Sequence, residues 1–103
     1  MADTRIVRIA ELEIDPDQLP AYRQALSTEI AASIDREPGV LMLHAVAEQA
    51  APHRIRLLEV YASEAAYQAH IESAHFLTYK RSTAHMVTML RLIEVDPILL
   101  ASK

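Results

Sequence analysis

Several residue types are missing or scarce in this chain of 103 residues, and each absence removes a class of function. There is no cysteine, which excludes disulfides, zinc–thiolate sites and thiol nucleophiles. The single glycine, Gly39, cannot form the glycine-rich loops that hold nucleotide phosphates. The formal net charge is -4, so the chain lacks the excess of basic residues that is typical of a nucleic-acid-binding protein. No stretch has the ~18 apolar residues that cross a membrane. From the charge we expect no nucleic-acid partner, and from the lack of such a stretch we expect no membrane partner.

Length and composition indicate one small folded unit. Hydrophobic residues make up 51% of the chain and charged residues 23%, both ordinary for a globular protein. The sequence has no internal repeat, low-complexity tract or linker, and we predict a single α+β domain over residues 1–103. No apolar stretch typical of a signal peptide follows the first residues, and we therefore expect a cytoplasmic location.

Four strands are predicted from the spacing of apolar residues. Alternation or near-continuous apolar character marks residues 6–14, 40–47, 54–61 and 87–95. The segment between the first two strands has helical periodicity, and so does the segment between the last two. The order β-α-β-β-α-β predicts the split βαβ, or ferredoxin-like, arrangement with a four-stranded antiparallel sheet.

Short polar residues mark the helix starts. Asp15 is the expected N-cap of the first helix, with Pro16 at its first position. Ser63 and Ser73 are the expected N-caps of two further short helices, over about 64–71 and 74–85. The helical segment between the third and fourth strands is therefore predicted to consist of two short helices.

The sheet is predicted to be apolar on both faces. The strand at 40–47 is interrupted only by His44, and the strand at 87–95 has apolar residues on both parities. An antiparallel sheet that is covered on one face normally carries polar residues on the other. Because the helices can cover only one face, we expect a second copy to cover the other, giving a sheet-to-sheet homodimer. The alternative is a monomer with an unusually apolar surface.

Four segments carry recognisable patterns: residues 37–41 (EPGVL), 58–61 (LEVY), 65–70 (AAYQAH) and 73–76 (SAHF). Together they resemble the antibiotic biosynthesis monooxygenase family, over almost the whole chain. The resemblance implies a dimeric α/β barrel built on the topology just predicted. It implies no single reaction, because the family includes quinol monooxygenases, polyketide oxygenases, haem-degrading enzymes, isomerases of small sugar-like signals and members without known activity.

Two absences narrow this resemblance. The haem-degrading members and several polyketide oxygenases depend on an asparagine and a tryptophan in the pocket, and this sequence contains neither residue. The resemblance therefore points to the quinol monooxygenases, which use no cofactor, or to the related isomerases.

Polar and aromatic side chains are predicted to converge between the sheet and the later helices. Tyr67 and His70 share one face of the first short helix, while His75 and Tyr79 share a face of the second. On the third strand, Glu59 and Tyr61 point to the same side of the sheet. The full predicted site consists of Glu59, Tyr61, Tyr67, His70, His75, Phe76 and Tyr79.

An apolar pocket with these few polar groups suits a small aromatic or carbonyl substrate. We predict a neutral imidazole as the base, His75 or His70, with Glu59 orienting it. Substrate-binding contacts are assigned to Tyr61, Tyr67, Phe76 and Tyr79. Each assignment has a structural alternative: the histidines could be packing residues at the core edge, and Glu59 could pair with Arg8 or Arg91 on neighbouring strands.

Three functions are compatible with this set. The first is a cofactor-independent monooxygenase that oxidises a small quinol or polyketide-like phenol with O2. The second is an isomerase of a small phosphorylated carbonyl compound, of the autoinducer-2 processing type, for which Lys80 and Arg81 are the nearest phosphate-binding candidates. The third is a non-catalytic dimeric ligand-binding module. No metal site is predicted, because no two of the five histidines have the i, i+4 spacing of a helical metal site.

Overall fold

The strands of the protein form one antiparallel sheet in the computed structural model, which describes residues 3–103. In chain order the main elements are β1 (Ile6–Ile14), α1 (Leu19–Arg36), β2 (Val40–Ala47), β3 (Arg54–Tyr61), α2 (Glu64–Glu72), α3 (Ala74–Thr83) and β4 (Val87–Val95). The strand order across the sheet is β2-β3-β1-β4, with every neighbouring pair antiparallel. The predicted α+β ferredoxin-like fold is therefore confirmed. Within residues 3–103, no helix has the length and apolar character of a membrane span.

The helix starts follow the predicted caps with one difference. The side chains of Ser63 and Ser73 accept hydrogen bonds from the backbone N–H groups of Ala66 and Phe76, and α2 and α3 begin there. The carboxylate of Asp15 accepts from the backbone of Asp17, but it caps a single 3-10 turn, and α1 begins only at Leu19. The N–H of Gln18 bonds the carbonyl of Asp15, three residues back, so the chain turns more tightly here than in an α-helix.

The main core lies between the sheet and the helices. Ala10, Leu12, Ile14 and Leu57 on the sheet pack with Tyr22 and Leu26 of α1, and all six side chains are buried. Full burial of a leucine or isoleucine side chain, such as those of Leu12 and Ile14, contributes about 1.5–3 kcal/mol to stability. Since α1 is fixed by this core, the residues at its end are held in place as well.

Gly39 allows α2 to approach the start of β2. A Cβ atom at this position would lie 2.5 Å from Cβ of Ala66, too close for two carbon atoms. The glycine follows Glu37 by two residues, and Ala66 precedes His70 by one helical turn. The close approach therefore brings the end of α1 and the middle of α2 together.

The sheet face turned away from the helices has two halves. Cross-strand register places Val7, Ile9, Leu58, Val60, Ile93 and Val95 together, and we call these the apolar half. The other half carries an ion-pair lattice made of Glu11, Glu13, Arg54, Arg56 and Arg91. In that lattice, Nε of Arg56 lies 3.1 Å from Glu11 and Nε of Arg54 lies 3.1 Å from Glu13. The predicted apolar character thus extends over only part of this face.

The helices leave the inner side of β4 uncovered. Leu90 and Leu92 pair with Leu12 and Ala10 across β1, so they point to the helix side of the sheet. They nevertheless remain 44% and 52% exposed. The space between the sheet and the helices therefore opens to solvent beside β4.

Candidate functional site

A cavity of about 700 Å³ lies between the sheet and the helices, with its opening beside β4. Its walls are mainly leucines and other apolar side chains. Polar groups reach it from several of the elements around it: Arg8 on β1, Glu29 on α1, Glu59 and Tyr61 on β3, His70 on α2, and Tyr79 and Thr83 on α3. A space of this size with a few polar groups is typical of a small-molecule site.

A carboxylate bridges two histidines at one side of the cavity. Oε2 of Glu37 lies 2.9 Å from Nδ1 of His70 and 2.6 Å from Nε2 of His75. Because an ionised carboxylate can only accept hydrogen bonds, both of these ring nitrogens act as donors to it. In the neutral ring of His70, the lone pair is therefore on Nε2, which lies 3.7 Å from Oε1 of Glu29.

Three helix ends bring this bridge together. Glu37 is the C-cap residue that directly follows α1, His70 lies in the last turn of α2, and His75 lies in the first turn of α3. Burial works against the charge of Glu37, but the hydrogen bonds from the two histidines outweigh it and lower the pKa of the carboxyl below its ordinary value. The carboxyl group of Glu37 is therefore ionised at neutral pH and acts as a hydrogen-bond acceptor for both rings.

His70 is the histidine that meets the cavity. It is 3% exposed and lies among aromatic rings, 5.2 Å from Tyr61 and 5.0 Å from Phe76 between centroids. His75 is half-buried and does not line the cavity. It is connected to the cavity only through Glu37 and His70.

Glu59 forms no hydrogen bond with His70 or His75 in the described structure. Its carboxylate accepts a hydrogen bond of 2.6 Å from the hydroxyl of Tyr61. Burial raises the pKa of Glu59 above its ordinary value, in spite of the lowering effect of that hydrogen bond. Burial also raises the pKa of Tyr61, so its phenol stays protonated as the donor. The orienting role expected for Glu59 belongs geometrically to Glu37.

We expect Glu59→Gln to gain stability relative to wild type as pH rises. The folded state holds the Glu59 proton more tightly than the unfolded chain does, so wild type loses stability above the ordinary glutamate pKa, while the amide has no proton to lose. Urea denaturation at about pH 4 and about pH 7.5 measures this difference. Glu72→Gln, which changes an exposed glutamate of α2, controls for the loss of one charge. A difference between Glu59→Gln and wild type that is the same at both pH values would contradict the expectation.

The cavity gathers most of the predicted site residues. It is lined by Glu59, Tyr61, Tyr67, His70, Phe76 and Tyr79, and His75 is the one predicted residue outside it. The hydroxyl of Tyr79 is already engaged, 2.6 Å from that of Tyr22. Arg8 pairs with Glu94 on β4 and not with Glu59.

Two carboxylates near the histidines, those of Glu29 and Glu37, were not predicted from the sequence. Glu29 lies on the buried stripe of α1, between Leu26 and Ser33, and it is only 5% exposed. A charged residue at a core position of a helix is a signal that could have found it. Glu37 stands in the EPGVL pattern directly before the turn, but nothing in its spacing indicates which histidines it meets.

Glu29, His70 and His75 are the residues that could hold a metal ion. Each offers one ligand atom, and these atoms lie within 4.8 Å of one another. Two imidazoles and a carboxylate suit first-row divalent cations such as Zn2+ or Fe2+. One nitrogen of each imidazole is, however, already hydrogen-bonded to Glu37.

Comparisons with known proteins agree on one family. The family model for antibiotic biosynthesis monooxygenases matches residues 5–82. A solved structure from Bacteroides thetaiotaomicron, provisionally named an antibiotic biosynthesis monooxygenase, is 45% identical with a TM-score of 0.95, and the match covers 100% of this chain and 98% of that chain. No curated protein matches significantly.

More distant solved structures share the fold. One from Nitrosomonas europaea with the same provisional name is 24% identical, with a TM-score of 0.87 over 95% of this chain and 94% of its own. Another from Caulobacter crescentus CB15 is 18% identical, with a TM-score of 0.87 over 94% of this chain and 92% of its own.

Proposed function

The chain belongs to the antibiotic biosynthesis monooxygenase family, and we propose that it oxidises a small quinol or polyketide-like phenol with O2, using His70 as the base. One observation carries the choice of base. His70 is the only histidine lining the cavity among residues 3–103, and Glu37 holds its far nitrogen. The 45% identical structure from Bacteroides thetaiotaomicron, with its provisional monooxygenase name, supports the type of reaction.

The first step of the proposed reaction is a proton transfer. Nε2 of His70 accepts the proton of a substrate hydroxyl, and the imidazolium that forms is stabilised by the carboxylate of Glu37. The same arrangement of base and orienting carboxylate fixes the tautomer of the catalytic histidine in serine proteases. His75 donates to the same oxygen of Glu37 and so keeps the carboxylate in place.

The remaining steps need only the substrate anion and O2. The anion passes one electron to O2, and the two radicals join in a C–O bond, giving a peroxide. The O–O bond then breaks as the ring carbon loses its hydrogen, so that one oxygen atom leaves as water and the other becomes the new ring oxygen. For a quinol, the products are a hydroxyquinone and one water. The apolar walls of the cavity keep bulk water away from the anion.

Aerobic turnover of a substrate panel tests this proposal. Purified protein is mixed with hydroquinones, naphthohydroquinones and naphthols, and oxygen uptake is measured together with the product. We expect one O2 consumed per molecule oxidised, with one atom of ¹⁸O2 in the product. Uptake no faster than the uncatalysed oxidation for the whole panel would refute the monooxygenase proposal.

A second candidate is the isomerase of a small phosphorylated carbonyl compound. Lys80 and Arg81 both line the cavity, which places two cations where a phosphate would need them. A base that moves a proton between carbon atoms would again be His70. Since an isomerisation consumes no oxygen, turnover that continues under nitrogen would favour this candidate.

We propose in addition that the protein is a homodimer packed through the apolar half of the outer sheet face. Four of its six residues, Ile9, Leu58, Ile93 and Val95, are half-buried, whereas Val7 and Val60 are already buried within the chain. The segment that follows β4 also exposes apolar side chains, with Ile98 fully exposed and Leu99 80% exposed. Burial of such surface against a second copy is the ordinary way to remove it from water.

A further inference from the structure

One nitrogen of a buried arginine at the floor of the cavity lacks a hydrogen-bond acceptor. Arg8 is 8% exposed, and it lines the cavity from β1. Its Nη2 donates a hydrogen bond of 2.7 Å to Glu94, whereas its Nη1 is buried without any partner in the described part of the chain. A buried donor left unpaired costs free energy, and more when the group is charged. Such a cost is recovered when a ligand supplies the missing acceptor.

The charge of this arginine is poorly compensated. Its ion-pair partner Glu94 is 80% exposed, so water screens that pair. Glu59 lies opposite on β3 but bonds the hydroxyl of Tyr61. The ring of Tyr67 covers the guanidinium at 4.0 Å from Cζ, which holds the group flat against the cavity wall. Positive charge therefore remains available at the floor of the cavity.

The rim of the cavity has the same sign. Lys80 and Arg81 are both exposed, and both line the cavity. Neither forms an ion pair within residues 3–103. Cations around an apolar opening attract anionic molecules towards it.

We propose that Arg8 binds a carboxylate of the substrate, and that the substrate is accordingly a hydroxyaromatic acid. The inference rests on the proposed function in taking the cavity as the substrate site. Arg8 contacts the ring of Tyr67, Tyr67 contacts Tyr61 at 5.1 Å, and Tyr61 contacts His70 at 5.2 Å. Arg8 and His70 thus lie at the two ends of a row of aromatic side chains, and the proposed substrate presents its carboxylate to Arg8 and its hydroxyl to His70.

A monoanion fits this site better than a phosphate dianion. Arg8 contributes a single positive charge, and its ion pair with Glu94 already balances part of it. The carboxyl groups of Glu29 and Glu59 also line the cavity, and negative charge on either disfavours a dianion more than a monoanion. The carboxylate is thus the acidic group that the local charges favour.

The test compares 6-hydroxy-2-naphthoate with its carboxamide, a neutral compound of nearly the same shape. Binding is measured by calorimetry under nitrogen, so no turnover is required. We expect wild type to bind the carboxylate about 10–100-fold more tightly, as one charge-assisted hydrogen bond predicts. In Arg8→Met this preference is lost while the affinity for the carboxamide stays within about threefold. Glu94→Gln, which alters the exposed partner of Arg8, keeps the preference.

Three results would overturn the inference: equal affinity of wild type for the two compounds, an unchanged preference in Arg8→Met, or tighter binding of 2-naphthyl phosphate than of the carboxylate. If Arg8→Met does not fold, the neutral but polar Arg8→Gln serves instead, and a preference that it leaves unchanged counts against the arginine. The outcome is separate from that of the proposed oxidation. If the protein prefers the carboxylate but takes up no oxygen, the inference stands and the oxidation is refuted. If it takes up oxygen but shows no preference, the oxidation stands and the inference is refuted.

Discussion

Replacing His70 with glutamine is expected to lower kcat/KM for the oxidised substrate by about 10²–10⁴-fold, the usual contribution of a general base. Glutamine is close in size and its amide can still donate a hydrogen bond to Glu37, so the buried site stays filled. It has no group that accepts a proton near neutral pH. Oxygen uptake at subsaturating substrate measures the loss, and circular dichroism checks that the variant is folded.

The matched control is His85→Gln, which makes the same exchange at an exposed histidine that contacts Gln18 and lies outside the cavity. It should retain wild-type activity. Glu37→Gln distinguishes a positioning role from a structural one. Its amide can donate to Nδ1 of His70, which moves the ring proton to Nε2 and removes the lone pair from the cavity side. Activity should therefore fall in Glu37→Gln without a comparable rise in KM. Full activity in both His70→Gln and Glu37→Gln would show that the base lies elsewhere.

The second large effect is expected at the outer sheet face. Ile9 stands at the centre of the apolar half, paired with Leu58 on one side and Ile93 on the other. Ile9→Lys places a charge in the proposed interface, and burying an unpaired charge costs several kcal/mol. We expect the dimer dissociation constant to rise at least about 100-fold, which corresponds to about 2.7 kcal/mol. Light scattering after size-exclusion chromatography should show a mass falling from twice 11.5 kDa to 11.5 kDa.

Ile34→Lys is the matched control for Ile9→Lys. Ile34 is half-exposed on α1, far from the outer face of the sheet, so the same exchange there should leave the dimer intact. A wild-type protein that is monomeric at about 100 µM, or an Ile9→Lys protein that remains dimeric, would refute the proposed interface.

Local patterns in the sequence were enough to predict the elements and their order. Ser63 and Ser73 predicted two helix starts because a capping hydroxyl acts within three residues of its own position. The four strands followed from alternation for a similar reason. The start of α1 was placed at Pro16, three residues too early, because Asp15 and Pro16 favour a 3-10 turn as readily as the first turn of an α-helix.

The site was harder to predict, because its contacts join distant parts of the chain. His70 could be placed towards the sheet from helical periodicity, and the structure does bring it to the cavity. Its partner depends on how the end of α1 meets α2, which no periodicity encodes, and so Glu59 was expected where Glu37 lies. An ion pair with Arg8 or Arg91 was the structural alternative for Glu59, but which of its two cross-strand glutamates Arg8 meets depends on side-chain packing.

The meeting of three helix ends at Glu37 makes the proposed base a reporter of tertiary order. Each of α1, α2 and α3 can persist in a loosened, partly folded state, since helical hydrogen bonds are local. The bond between Glu37 and His70 cannot persist there, because it joins residues 33 positions apart. The tautomer of His70, and with it the direction of its lone pair, is therefore lost as soon as the helices separate. Inactivation on mild heating or acidification should precede the loss of helical content, and on refolding the activity should be the last property to return.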